Sequence, residues 1–298
     1  MKKIGVIRGG NWDGYENSLK QGAYIISYIQ NNLGEKYEAI DIFIDKDGIW
    51  YIKGLPITPH DIVHKVDVIW NTAHSAIAQM LNNFSIPHIS IPTISSALKK
   101  SREMLYEHMR NTDIHMPQHF IIPAYQNDFD GPIERFAIKK AKQVFEKFSS
   151  PWIVRSFNQD ISMGIHVANT YPELVNAIID GAEHGNSLLV EELIAGKDGS
   201  IHSLKGFRND DIYTFGSGNF SLAEKEKLYN ITRDLHTHLG DTHYLKSDFI
   251  LAPRGRVYLK NIDLTPDFKD NSHFCESCMA IGAKPHNVFE HILEQAFL

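Results

Sequence analysis

Apolar and polar positions along the chain alternate between a period near two and a period near 3.6 residues, the signatures of strands and helices in turn. KKIGVIR (2–8) is a short apolar run that leads directly into Gly9-Gly10-Asn11-Trp12-Asp13-Gly14, and residues 16–30 then carry apolar residues at helical spacing. A strand, a glycine-bearing loop and a helix open an α/β unit, with loop amides free to face an anion or a carboxylate. YEAIDIFI (37–44), VDVIW (66–70) and PHISI (87–91) read as further strands, with a helix over 75–82. Such alternation predicts a parallel sheet that binds ligands at the carboxyl ends of its strands.

After Pro92 the texture changes. SSALKKSREMLYEHMR (95–110) reads as one basic amphipathic helix. A strand is expected at 119–123, a polar loop at 126–132 and a helix at 133–148. PWIVRS (151–156) is a strand ending in a cation, followed by a polar turn with one glycine (157–164) and a short strand at 165–167. A helix at 172–184 precedes LLVEEL (188–193), a strand closing on two carboxylates, and a turn at 194–199. A hairpin (201–207 with 212–215), a helix (225–239) and a closing helix (288–298) complete the pattern.

Between those last two helices lies the chemically richest stretch, YLKSDFILAPRGRVYLKNIDLTPD (244–267). Two alternating runs flank Pro253-Arg254-Gly255, which has the composition of a hairpin turn. Lys246 and Asp248 are two apart on the first strand, and Asn261 and Asp263 two apart on the second, so each pair shares a face. Pairing could collect three oxygen-bearing side chains and one ammonium at one place. Hard cations such as Mg²⁺ take carboxylate and amide oxygens and usually keep substrate phosphates as further ligands. The segment taken alone reads equally as a solvated hairpin face.

Composition narrows the class. The chain has 298 residues, 43% hydrophobic and 22% charged, enough for a large core in two or three domains. A net charge of −6 gives nucleic acid no basic surface. No apolar run approaches the roughly 20 residues that span a bilayer, and MKKIGVIRGG lacks the apolar length of a signal peptide. Two cysteines are no disulfide framework, so a cytoplasmic location is expected. Cys275-Glu276-Ser277-Cys278 lacks a second ligand pair for zinc and reads as two thiols beside a helix start. His236, His238 and His243 read as ordinary histidines, since residues two apart on a helix point to different sides.

The order of these elements resembles the ATP-grasp superfamily, and more narrowly the D-alanine–D-alanine ligases. It is carried by IGVIRGG and YENSLKQGAY at the start, SSALKKSREML in the middle, then PWIVRSFNQDISMGIHV, LLVEELIAG, LKSDFILAPRGRVYLKNIDLTP and AKPHNVFEHILEQA. The resemblance implies a mixed α/β and α+β chain with a three-domain ATP-grasp fold. An N-terminal Rossmann-like, parallel-sheet substrate-binding domain (1–92) would precede a central ATP-grasp lobe (93–187) and a C-terminal domain with the metal and active site (188–298). By the same resemblance, Glu16 and Ser18 hold the ammonium of the first D-alanine. Arg102 and Arg155 stand on the ATP phosphates where the family has lysines. Ser162 and Gly164 belong to the loop that covers the phosphates. Glu191 matches the hinge strand where adenine is bound, Glu192 and Ile194 beside it belong to the same ATP site, and Asp198 holds the ribose. Asp248, Asn261 and Asp263 ligate Mg²⁺, Lys246 replaces an arginine that steadies the transition state, and Ser272 contacts the carboxylate of the second D-alanine.

The implied activity is ATP- and Mg²⁺-dependent joining of two amino acids through an acyl-phosphate, most simply D-alanine to D-alanine for peptidoglycan, by an assembly for which the family allows a homodimer. Two alternatives follow from departures. The family has a glutamate at Asn261 and an asparagine at Asp263. Its His-Gly…Glu-Asp-Gly loop is replaced by Asn71-Thr72-Ala73-His74-Ser75, and its closing lid is shortened to Gly216-Ser217-Gly218-Asn219-Phe220. A lid protects an acyl-phosphate from water. A nucleotide-binding protein with little turnover, or a ligase for other amino acids, would accommodate these changes.

Overall fold

The computed structural model describes residues 1–157, 163–240 and 242–297. Ser162, expected on the phosphate-covering loop, lies outside the described residues. The chain forms two compact units, one of Met1–Ile114, Gly199–Phe249 and Asn261–Leu298, the other of His115–Asp198 and Ile250–Lys260.

The first unit begins with β1 (Lys2–Gly9), α1 (Tyr15–Asn32) and β2 (Tyr37–Ile44). Ser18, Gly22, Ile25 and Ile29 make the buried stripe of α1, at the spacing that lays one helix face on a sheet. β3 (Trp50–Ile52), β4 (Leu55–Ile57), β5 (Val68–Asn71), α2 (Ile77–Asn83) and β6 (His88–Ile89) follow. The sheet order is β4-β3-β2-β1-β5-β6. β1 runs parallel to both β2 and β5, and β5 parallel to β6, as expected. β3 and β4 add an antiparallel edge. Three residues each are too few for the two-residue period to register in sequence, so this edge was not foreseen.

The helix expected over 95–110 is two helices, α3 (Thr93–Lys100) and α4 (Arg102–Met109). Ser101 between them is extended (φ −113°, ψ 109°) and its side chain accepts the Met104 N–H. A serine hydroxyl competes with the helical backbone and is better used as an N-cap than in a helix interior.

In the second unit, β7 (His119–Ile122), α5 (Tyr125–Asp128), α6 (Ile133–Lys147), β8 (Trp152–Ser156), β9 (Ile165–Ala168), α7 (Tyr171–Glu183) and β10 (Leu188–Glu192) form an antiparallel sheet, ordered β7-β10-β8-β9, with a core of Phe136, Trp152, Val154, Leu174, Ile178 and Val190. The Thr170 side chain caps α7 with a proline in its first turn.

The remainder supplies β11 (Lys197–Lys205), β12 (Ile212–Phe215), α8 (Leu222–His238), β13 (Tyr244–Leu251), β14 (Val257–Asp263), α9 (His273–Ala280) and α10 (Pro285–Gln295). The sheet order is β12-β11-β13-β14. Lys197, Asp198 and Gly199, expected in a turn, open β11 instead. The β13–β14 turn is as read: Gly255 adopts φ +80° and donates to the Ala252 carbonyl, while Ala252 donates to Arg256.

An aromatic cluster closes the first unit's core. Phe268, 1% exposed, lies 4.8 Å from Tyr28, 5.1 Å from Phe274 and 5.1 Å from Phe289, and Trp70 stacks on Phe289 at 4.7 Å. Residues from α1, β5, α9 and α10 thus meet on one ring. Phe268→Ala should cost about 3–5 kcal/mol, read as a lower urea midpoint with an unchanged slope for the transition of this unit.

Candidate active site

The order of the first sheet reverses between β1 and β5, since the chain leaves β1 towards β2 on one side and β5 lies on the other. Such a switch point leaves a crevice at the strands' carboxyl ends. A cavity of about 380 Å³ opens there, lined by Trp12, Asp13 and Asn17 after β1, by Asn71 at the end of β5 and Thr72 just past it, and by Lys99 of α3 among others. Its geometry starts with Gly9. At φ +90°, a Cβ there would stand 2.1 Å from the Ile44 carbonyl oxygen, so only glycine fits. The Gly9 N–H donates to Ser18 Oγ (2.9 Å), the Trp12 indole N–H donates to the Gly9 carbonyl (2.9 Å), and Thr72 Oγ1 donates to the Ile7 carbonyl (2.8 Å).

Ser18, expected to touch substrate, is therefore 1% exposed and holds the loop from inside. Glu16 is exposed in the first turn of α1, and the α1 residues lining this cavity are Asn17 and Gln21, one turn apart. Asp13 is the carboxylate on the wall. Neither Asp13 nor Asn17 stood out in the sequence, because loop position and helix phase, rather than residue type, turn them inward.

The hairpin carries its charges on one face. In β13 Leu245, Ser247 and Phe249 are buried, and Lys246 and Asp248 are partly exposed between them. In β14 the alternation slips by one position: Leu259 is buried, Lys260 and Asn261 are both exposed, and Ile262 is buried again. That phase slip, of the kind a bulge produces, keeps Asn261 and Asp263 off the buried side. Asp248 Oδ1 accepts from Ser200 Oγ at 2.5 Å and pairs with Lys246 Nζ at 2.9 Å. Asp263 Oδ1 accepts from Lys99 Nζ at 2.7 Å and from the Thr265 N–H at 3.1 Å. Each carboxylate thus carries its own ammonium. Lys99 and Ser200 were missed by the sequence reading; Lys99 lies within SSALKKSREML but nothing local sets it apart from Lys100, and only long-range packing brings Lys99 and Ser200 to the hairpin. Among the described residues no three His, Cys, Asp or Glu side chains gather as a self-sufficient metal site. Two separate carboxylates suit Mg²⁺ only where phosphate oxygens complete its shell.

The residues assigned to the nucleotide divide between the units. Arg155 of β8 donates through Nε (3.1 Å) and Nη2 (3.0 Å) to one oxygen of Glu191 on the neighbouring β10, a diagonal cross-strand pair. Glu192 accepts from the Gln118 N–H at 3.3 Å, Ile194 is half-buried just past β10, and Asp198 pairs with Lys260 at 3.1 Å in an exposed setting. Gly164 has φ +73° with open space around it. All of these belong to the second unit, whereas Arg102 opens α4 in the first. Ser272, in the first unit, is the N-cap of α9: its hydroxyl donates to the Asp267 carbonyl at 2.5 Å and accepts the Cys275 N–H at 3.2 Å.

No protein-family model matches the chain. Curated relatives span it from end to end. A D-alanine–D-alanine ligase of Geotalea uraniireducens is 23% identical over 326 residues, covering 100% of this chain and 96% of its own length. The vancomycin C-type resistance protein VanC1 of Enterococcus gallinarum is 22% identical, covering 99% and 98%. Among solved structures, a D-alanine–D-alanine ligase of Bacillus anthracis complexed with ATP superposes with a TM-score of 0.67 at 16% identity, covering 100% and 97%. The chain is a divergent relative of the D-alanine–D-alanine ligases. It has their ATP-grasp fold, here with a switch-point cavity in the first unit and a charged hairpin face.

The two thiols of this chain lie on α9. Cys275 and Cys278 are both buried and unpaired with each other, and burial pushes the Cys278 thiol up to about 12 and raises that of Cys275. A protonated, enclosed thiol is a poor nucleophile. Native protein at neutral pH should therefore react with a chromogenic disulfide at least about tenfold more slowly than protein unfolded in guanidinium, where both cysteines should titrate. Equal rates would show that α9 opens readily.

Proposed function

We propose that the protein is an ATP- and Mg²⁺-dependent carboxylate–amine ligase that joins two amino acids through an acyl-phosphate. The leading substrate assignment is D-alanine with D-alanine, in cytoplasmic peptidoglycan synthesis. The observation that carries this reading is on the hairpin: Asp248 and Asp263 are each paired with a lysine, an oxygen ligand beside a cation in each case. End-to-end likeness to named ligases supports it.

The residues divide the work by their chemistry. One substrate's carboxylate must attack the γ-phosphorus, and an amine must then displace phosphate from the acyl-phosphate. Charge accumulates on phosphoryl oxygens, so catalysis is mainly positioning and electrostatic stabilisation. We assign Arg102 and Arg155 to the phosphates, with Gly164, and Ser162 beside it, on the covering loop. Glu191, Glu192 and Ile194 would hold adenine and Asp198 the ribose. In this reading Arg155 exchanges its partner Glu191 for phosphate oxygens. We assign Lys246 to the developing anion, Ser272 to the acceptor's carboxylate, and Glu16 and Ser18 to the donor's side, Ser18 through the loop it holds. Asp248, Asp263 and Asn261 would hold Mg²⁺, which would supply neutralisation of phosphate charge. Lys99, paired with Asp263, would keep a cation beside that carboxylate.

One observation favours the second reading, a nucleotide-binding protein with little turnover. Asn261 is exposed and uncharged at the position where a carboxylate could bridge two cations.

Phosphate release from Mg-ATP, with and without D-alanine, decides between them. D-alanine-dependent release with a dipeptide in the mass spectrum is the expected result. No release, with ATP raising the melting temperature, would instead support the binding protein, and release with another amino acid would reassign the substrate. Asp263→Ala should lower turnover by about a hundredfold or more while the melting temperature stays within a few degrees; retained activity would remove Asp263 from the metal.

A further inference from the structure

His202 of β11 is fully buried among aromatic rings, with Phe215 at 5.3 Å and Phe274 at 5.5 Å. Its Nδ1 lies 2.8 Å from the Tyr244 hydroxyl and its Nε2 2.9 Å from Nδ1 of His273, the first residue of α9. His273 Nε2 in turn lies 3.3 Å from the Ser217 carbonyl oxygen and 3.2 Å from Ser217 Oγ. Tyr244 lines the switch-point cavity, and Ser217 belongs to the short loop 216–220. All four residues lie in the first unit.

Hydrogen-bond bookkeeping gives this row a direction. A carbonyl oxygen only accepts, so His273 Nε2 carries a proton towards Ser217. In a neutral His273, Nδ1 then accepts, and the donor facing it is His202 Nε2–H. That leaves His202 Nδ1 as the acceptor for the Tyr244 O–H. The reverse direction would set a nitrogen lone pair against the Ser217 carbonyl and turn the buried tyrosine proton away from His202. Charging His273 would set its Nδ1–H against the His202 Nε2–H at 2.9 Å, and charging His202 would put an Nδ1–H where the Tyr244 O–H donates. Burial, then the neighbouring His273 and Lys246 charges, holds the His202 imidazolium well below its ordinary range, and burial raises Tyr244 well above its own.

The row's far end pins the loop to α9. The Ser217 N–H donates to Ser277 Oγ at 3.0 Å, and Ser277 Oγ donates to Ser217 Oγ at 3.2 Å. Its middle, His273, directly follows Ser272. A segment too short to fold over a substrate is thus fixed in advance against the helix whose first turn carries that serine.

We infer that His202 and His273 are positioning residues, a neutral, one-directional imidazole pair that fixes Ser272 and loop 216–220 around the carboxylate of the acceptor amino acid. The inference rests on the ligase reading of the same site. Pre-organisation by internal hydrogen bonds substitutes here for closure of a long lid.

Two measurements test it on the intact protein. Long-range ¹⁵N–¹H spectra of histidine-labelled protein should show both rings as Nε2–H tautomers, with His202 not titrating between about pH 5.5 and 8. A His202 ring that titrates freely in that range, or an Nδ1–H tautomer at either site, would overturn the pair. In kinetics, His273→Leu should raise the acceptor's KM about tenfold, the worth of one good buried hydrogen bond, with the KM for ATP unchanged. His273→Asn, whose amide oxygen still accepts from His202, should recover much of that loss. Equal effects on both KM values, or no difference between the two variants, would mean a merely structural role and overturn the inference. Wild-type protein that binds ATP but makes no peptide would remove the ligase reading and the acceptor role with it, leaving the spectra to judge the hydrogen-bonded pair alone.

Discussion

Much of the first unit follows from one constraint, the close approach of the β1 and β5 ends where strand order reverses. Two parallel strands leaving in opposite directions expose backbone groups that neither neighbouring strand can pair. Here buried hydroxyls reinforce the strand ends: Ser18 accepts the Gly9 N–H, and the Thr72 hydroxyl donates to the Ile7 carbonyl that the Thr72 N–H also reaches. Gly9 must be glycine because the Ile44 carbonyl occupies the space of a side chain. With the strand ends fixed in this way, the loop beyond Gly9 turns Trp12 and Asp13 towards the cavity, and helix phase brings Asn17 and Gln21 after them. The cavity is thus a product of chain topology, and its polar residues are those that the topology points inward.

Charge balance is the second organising feature. Asp248 and Asp263 are each held by a lysine within 3 Å, and Arg155 is held by Glu191. Partly exposed pairs of this kind add little to stability, since solvent screens them and side-chain entropy opposes them. Their value is in poise. A carboxylate and a cation held face to face by a weak, partly exposed contact can exchange partners with an incoming charged ligand. A ligase built on these groups would bind Mg-ATP by partner exchange rather than by creating new charges. The buried histidine pair works by the opposite principle, with neutral groups whose hydrogen-bond directions are fixed because no charge is tolerated among the surrounding rings.

Local pattern is enough to set the alternation of elements, since period and turn chemistry are local. Residues 37–44 form β2 as read, and the Pro253-Arg254-Gly255 turn joins the two charged strands as read. Lys246 beside Asp248 also followed from spacing alone. What sequence could not reach was decided by packing. The break at Ser101 depends on whether a hydroxyl caps or continues a helix, and both choices suit the same pattern. The three-residue edge strands carry too few positions for any period. Lys99 meets Asp263 across 164 positions of chain, and His202 meets His273 across 71. Side chains so distant in sequence share no local signal; only the tertiary fold decides which donor faces which acceptor, and therefore which residues of an ATP-grasp chain become its working groups.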